Sequence, residues 1–162
     1  MSRFLRSVFE FLSRDLTGKT WERRASHPYF GEMVFFGNED PTACYWEAEL
    51  PVAGQPKKIG VTMQGTAAGP EPAAEAFCTA ALSDLDALFQ RCRAPFEPVF
   101  AKWAKQSLPT AWRGAFTLDG FEVPTQGNLS KSWSLCYFVE PAGHYFTARF
   151  EAGEVFSVEV DG

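Results

Sequence analysis

Histidine is the first residue type to examine, because its imidazole ring can transfer protons and bind metal ions near neutral pH. The chain has two: His27 precedes Pro28 in a predicted loop, and His144 opens a predicted strand after a turn. Neither has a second histidine, or a nearby Asp, Glu or Cys, at the spacing of metal ligands. We therefore predict no metal site and no cofactor. His27 is kept as a candidate binding residue, because loops carry function more often than strands do.

Cysteine could supply a nucleophile, and the chain has Cys44, Cys78, Cys92 and Cys136. They form no C-x-x-C motif. They lie within apolar patterns, which predicts reduced thiols in the core, although Cys136 shares its strand face with serines. A catalytic thiol needs partial exposure and an electropositive setting. We therefore predict no catalytic residue.

Paired carboxylates could perform general acid–base catalysis if one of them were partly desolvated. Glu47 and Glu49 share one face of a predicted strand, whereas Asp84 and Asp86 diverge on a helix. A solvated outer face of the sheet is the alternative reading of Glu47 and Glu49. The sequence contains no glycine-rich phosphate loop and no G-x-S-x-G motif.

Tyrosines on strands are the last candidates. Tyr45, Tyr137 and Tyr145 lie on or near predicted strands, and protein interfaces favour aromatic residues at their centres. The alternative is a small second core beneath an N-terminal helix. The candidate binding residues are therefore Tyr45, Glu47, Glu49, Tyr137, Tyr145 and His27.

Charge and length restrict the partners. The chain has 162 residues, a net charge of −5 and an estimated pI of about 5.1. Nucleic-acid binders need a basic face, so we predict no nucleic-acid partner. The sequence shows no signal peptide and no apolar run long enough to span a membrane, which predicts a cytoplasmic protein. The length predicts one domain, with a main body over 28–162 and an appended helix over 1–18.

The elements that must position these residues follow from hydrophobic periodicity. The periodicity of Ser2 to Arg14 predicts an amphipathic helix that docks on the core or faces a partner; attachment to a membrane surface is disfavoured. Two helices follow Pro72, with Pro95 and Pro98 expected to separate them near Arg93. Strands are predicted at 31–36, 44–50, 58–64, 114–123 (with a turn at Asp119-Gly120), 132–139, 144–151 and 156–160. This order predicts an α+β fold, with six to seven antiparallel strands in two meanders against a helical pair.

One resemblance rests on two segments. The run His27-Pro28-Tyr29-Phe30-Gly31-Glu32-Met33, followed by Tyr45-Trp46-Glu47-Ala48, resembles bacterial domains of unknown function. Some of those domains are similar to immunity proteins of polymorphic or contact-delivered toxin systems. The resemblance implies a small acidic protein that binds and blocks a toxin, with no catalytic residues to carry over.

Two functions are therefore expected. The first is a non-catalytic protein-binding module, with a toxin-neutralising immunity protein as its specific form and a basic toxin domain as its partner. The alternative is a small-ligand-binding or hydrolase-like domain, in which His27, Glu47 and Tyr137 would converge on a pocket lined by the sheet.

Overall fold

The computed structural model describes residues 20–162, which form one large sheet and two α-helices. The strands are β1 (Thr20–His27), β2 (Gly31–Asn38), β3 (Tyr45–Leu50), β4 (Ile59–Thr66), β5 (Gly69–Pro70), β6 (Phe116–Glu122), β7 (Trp133–Val139), β8 (His144–Glu151) and β9 (Glu154–Asp161). The helices are α1 (Ala73–Ser83) and α2 (Leu85–Ala104). The predicted α+β class with a mostly antiparallel sheet is confirmed.

The sheet joins two antiparallel meanders side by side. Its strand order is β1-β2-β3-β4-β6-β7-β8-β9, and the short β5 pairs with β4 off this path. The one parallel pair in this order is β4 with β6, where Val61 lies opposite Phe121. A parallel pair needs a long crossover connection, and α1 and α2 lie within that connection.

Both helices pack on one face of the sheet. Phe77 of α1 contacts the rings of Phe121 and Trp133, and Phe89 of α2 lies edge-on to Tyr137, with ring centroids 5.5 Å apart. Phe89 also stacks on Trp112 at 4.5 Å. Because side chains alternate along a strand, every second residue of each strand points to the other face. We call this other face the open face; it carries Glu22, Arg24, Val34, Glu47, Thr62, Glu122, Ser134, Arg149 and Ser157.

Two predictions about the strands are wrong. The sheet has nine strands, where six to seven were predicted. One reason is that β1 occupies a region predicted to be a loop, so His27 ends a strand and does not lie in a loop. Most of β1 is exposed and three of its eight residues are charged, as is common in edge strands, so it lacks the alternation of buried residues that marks a strand. The predicted N-terminal helix lies outside the described residues.

The predicted turn at Asp119-Gly120 is wrong as well. Gly120 pairs with Gly60 on one side and with Cys136 on the other, so it lies inside β6. The pairing with β7 shifts register between Leu118 and Gly120, which identifies a β-bulge at Asp119. An Asp-Gly pair suits a bulge as well as a hairpin turn, because glycine tolerates the irregular backbone.

The helices divide at Asp84, and not at the prolines as predicted. Asp84 is the N-cap of α2, and its side chain accepts a hydrogen bond from the Ala87 N–H at 2.9 Å. Pro95 and Pro98 lie inside α2. Each proline removes a backbone hydrogen-bond donor and so destabilises the helix. The full burial of Phe96, which lies between the prolines, and of Phe100, which follows them, offsets this loss of stability.

The described helices include no segment whose length and apolar character would allow it to cross a membrane. The four cysteines are buried and form no disulfide, as the sequence predicts.

The turn between β4 and β5 gives a test of the packing. A Cβ atom at Gly65 would collide with the Gly69 carbonyl oxygen and come within 2.7 Å of the Pro70 Cα. These are backbone atoms of the paired strand, so we expect Gly65→Ala to lower the free energy of unfolding by about 1–3 kcal/mol in urea denaturation.

The matched control is Gly114→Ala, since a Cβ atom at Gly114 has no neighbour within 4 Å. We expect this variant to stay within about 0.5 kcal/mol of wild type. Equal effects at the two positions would contradict the proposed contact between β4 and β5.

Candidate functional site

The open face brings together three of the six candidate residues. Tyr45, Glu47 and Glu49 follow one another at every second position of β3 and therefore point to the same side. Tyr145 lies on the open face as well, but on β8, with three strands between it and β3. Its ring contacts that of Phe138, with centroids 5.1 Å apart.

Tyr137 and His27 lie elsewhere. Tyr137 is on the helix-covered face, where its ring is buried against Phe89 and Phe96. His27 closes the turn between β1 and β2, where its Nδ1 accepts a hydrogen bond from the Tyr29 N–H at 3.2 Å. The structure therefore does not bring His27, Glu47 and Tyr137 together in one pocket.

A continuous row of side chains crosses the open face through Glu47. Strand pairing places Glu47 between Val34 of β2 and Thr62 of β4, and Thr62 lies opposite Glu122 of β6. Glu122 accepts a hydrogen bond from the Ser134 hydroxyl at 2.7 Å. Two arginines flank this row: Arg24 opposite Val34 and Arg149 opposite Ser134.

A cleft of about 610 Å³ lies on the β1–β3 side of this row. We call it the acidic cleft. Its described lining has four carboxylates and two cationic side chains: Glu22, Glu32, Glu47, Glu49, Arg24 and Lys58. Val34, Phe36 and Tyr29 add apolar wall. The described lining contains carboxylates, Tyr29 and Lys58 but no His, Cys, Ser or Thr.

Glu47 is the unusual group in the acidic cleft. Its side chain is only 7 % exposed, and its Oε1 has no hydrogen-bond partner among the described residues. Burial, together with the nearby negative charge of Glu22, raises the pKa of Glu47 to about 7. A buried polar atom without a partner costs about 1–3 kcal/mol, so this carboxyl would gain from a positively charged ligand.

Tyr45 lies two residues before Glu47 on β3 and packs on Phe36, which lines the acidic cleft. Its ring stacks on Phe36 with centroids 5.0 Å apart, and its hydroxyl is buried with no partner among residues 20–162. Burial, together with the charges of Glu47 and Glu22, raises the pKa of the Tyr45 hydroxyl, which therefore stays protonated. The stacked pair gives the site a rigid aromatic wall.

Three of the four cysteines have environments that disfavour the thiolate. Cys78 and Cys92 are buried under the helices, and burial raises the pKa of Cys78 to about 12 and that of Cys92 higher still. Cys136 lies on the open side of β7, and burial raises its pKa too. A thiolate is the reactive form, so these thiols are chemically quiet. The residues that the structure describes contain no group of three or more ligands that could hold a metal ion.

Sequence reasoning missed Glu22, Arg24 and Thr62. Glu22 and Arg24 went unnoticed because β1 was not recognised, although Trp21, Arg23 and Ala25 alternate with them at the spacing of a strand. Thr62 was not singled out, because its pairing with Glu47 follows only from the register of β3 and β4.

Comparison of the chain with known protein families, with curated proteins and with solved structures finds no match.

The raised pKa of Glu47 predicts a pH-dependent stability. Below the ordinary pKa of about 4.5, the carboxyl is protonated in both the folded and the unfolded chain, so its burial does not destabilise the folded state through a charge. As the pH rises from 4.5 through 7, the unfolded chain gains by ionising earlier, and the folded state loses stability. We expect the free energy of unfolding of Glu47→Gln, measured relative to wild type, to increase by about 2 kcal/mol between pH 4.5 and pH 8. This figure is discounted for partial solvent screening.

Urea denaturation across this pH range measures that difference. Glu49→Gln is the control, because Glu49 is an exposed carboxyl on the same side of the same strand. We expect its stability to follow wild type at each pH. A Glu47→Gln curve that runs parallel to wild type would show that Glu47 is not held protonated.

Proposed function

We propose that this chain is a non-catalytic protein-binding module whose acidic cleft receives a lysine or arginine side chain from a basic partner. The observation that carries the proposal is the buried, unpartnered carboxyl of Glu47 inside a cleft dominated by carboxylates. A cation placed against Glu47 would supply the missing partner and favour the ionised form of the carboxyl.

The shape and chemistry of the walls support an inserted side chain. Lysine and arginine have long apolar stems below a charged group, and the stems pack on apolar surface. Val34, Phe36 and Tyr29 offer such surface, while Glu22 and Glu49 lie beside Glu47 to take the charge. An arginine could also stack on an aromatic ring of the wall.

The overall charge supports a basic partner. The net charge of −5 attracts a positively charged protein and speeds its encounter with the cleft. The resemblance of the His27–Met33 and Tyr45–Ala48 segments to immunity proteins suggests the partner class. In this proposal the chain acts in the bacterial cytoplasm as a toxin-neutralising protein, and the partner is a basic toxin domain.

A second candidate function is the binding of a small ligand. The volume of the acidic cleft, about 610 Å³, lies within the range of known small-molecule sites, roughly 300–1,000 Å³. This candidate predicts that a small organic diamine or a polyamine binds the free protein. The hydrolase-like version receives no such support, since Tyr137 lies on the other face of the sheet from Glu47.

The decisive variant is Glu47→Gln, which removes the charge and keeps the shape. We expect capture of a basic protein from native lysate by the wild-type chain, and an affinity at least about tenfold weaker for the variant. Identification by mass spectrometry and titration of the purified partner measure this. Glu154→Gln, an exposed carboxylate in the β8–β9 hairpin, is the charge-matched control and should bind like wild type. Equal affinity of all three chains would remove the acidic cleft from the interface.

The same contact predicts a pH dependence of binding. Glu47 has a pKa of about 7 in the free protein and must be ionised when it pairs with a cation. Affinity should therefore rise from pH 6 to pH 8 and then level off, with proton release on binding near pH 7. Calorimetry in two buffers of different ionisation enthalpy measures the released protons. Affinity that does not change over this range, or proton uptake, would contradict an ionised Glu47 in the complex.

A further inference from the structure

A second cleft lies on the open face on the other side of Tyr45. It measures about 380 Å³, and its lining comes from β3, β4, β6, β7, β8 and β9. We call it the neutral cleft. The residues of its lining that matter here are Tyr45, Thr62, Gln64, Glu122, Arg149 and Phe156. The proposed partner contact at Glu47 uses none of them as a ligand.

The charges of the neutral cleft balance. Its described lining has one carboxylate, Glu122, and one cation, Arg149. Arg149 donates two hydrogen bonds to the carboxylate of Glu159, at 2.7 and 3.0 Å. Glu122 accepts a hydrogen bond from Ser134. With its charges already engaged in this way, the cleft favours an uncharged ligand over a phosphate or an organic cation.

Two buried hydroxyls in this cleft lack partners. Tyr45 is 5 % exposed and Thr62 is 6 % exposed, and neither hydroxyl has a hydrogen-bond partner within residues 20–162. Each can donate one hydrogen bond and accept others. A ligand that carries several hydroxyl groups could satisfy both, since its own groups donate and accept in the same way.

An exposed aromatic ring stands at the rim. Phe156 is 59 % exposed, the highest value among the large apolar side chains described. It is the extra residue of a β-bulge: Arg149 pairs with Ser157 and Phe150 pairs with Val155, which leaves Phe156 unmatched. Bulges redirect side chains, and this one places a flat apolar ring beside polar groups.

From these observations we infer that the neutral cleft binds a pyranose ring of a neutral saccharide. A pyranose has an apolar C–H face and a rim of hydroxyls, which is the combination that the cleft complements. Phe156, on β9, would cover the C–H face of one pyranose ring, and the Tyr45 and Thr62 hydroxyls, on β3 and β4, would bond hydroxyls farther along the saccharide. Glu122 and Gln64 would accept hydrogen bonds from other hydroxyls. The polar groups of the cleft would determine specificity, and the Phe156 ring would supply most of the contact area.

The test is saturation-transfer NMR on the full chain with glucose, galactose, N-acetylglucosamine and maltose as separate probes at millimolar concentration. We expect saturable transfer to the ring C–H protons of at least one of them. Phe156→Ala should weaken that binding by about tenfold or more, because the stacking surface is lost. Its exposed position means that this variant should fold normally.

Two further variants separate the site from general surface effects. Thr62→Val removes the hydroxyl and keeps the β-branched shape, and it should weaken binding several-fold. Trp103→Ala removes an exposed aromatic ring on α2, away from the open face, and should leave binding unchanged. Saccharide binding is measured on the free protein without a basic partner, so failure of the proposed partner contact and failure of this site can be distinguished.

Several results would overturn the inference. One is no saturable transfer from any neutral saccharide; another is saccharide binding that survives both Phe156→Ala and Thr62→Val. Adenosine and inorganic phosphate serve as competing probes, and binding of either in place of the saccharides would assign the neutral cleft to a different ligand class.

Discussion

The parallel contact between β4 and β6 is the constraint on which the rest of the structure depends. Gly60, Val61 and Thr62 pair there with Gly120, Phe121 and Glu122, and the Val123 N–H donates to the Thr62 carbonyl oxygen at 2.8 Å. Without this contact the chain would be two separate antiparallel meanders. Because parallel neighbours need a crossover, the contact also dictates where α1 and α2 lie.

That crossover explains why the two faces differ so strongly. The helices cover one face and bury an aromatic cluster around Phe89 and Phe116. The opposite face has no helix among the residues described, and its strands carry polar side chains in a row from Arg24 to Ser157. Both candidate sites, the acidic cleft and the neutral cleft, lie on this face, on either side of the boundary between Tyr45 and Glu47.

Much of this architecture could be predicted from the sequence where periodicity was clear. The alternation through Trp46 and Ala48, and again through Trp133 and Leu135, predicted strands that the structure contains. It failed where local and tertiary preferences compete. The prolines of α2 are tolerated because Phe96 and Phe100 are fully buried, and Asp119-Gly120 forms a bulge because strands flank it on both sides.

The candidate site was predictable only in part, for a related reason. Glu47 and Tyr45 could be chosen from one strand alone, since both lie on β3 and share a side. Their significance comes from neighbours on other strands: Glu22 raises the pKa of Glu47, and Phe36 stacks on Tyr45. Strand order and register determine such neighbours, and the spacing of residues within a single strand does not reveal them. Tyr137 shows the converse: it lies on the same side of β7 as Trp133 and Leu135, so the alternation within one strand was enough to place it in the core.

The pairing of residues 60–62 with residues 120–122 also has a consequence for folding kinetics. Its partners are far apart in the chain, so the loop between them must close before the two meanders meet, and such non-local contacts slow folding. During synthesis β4 leaves the ribosome well before β6, and until β6 is made the backbone of one edge of β4 lacks its strand partner. An exposed strand edge of this kind can pair with another chain. The chain is therefore most prone to aggregation after the N-terminal meander has been made and before β6 pairs with β4.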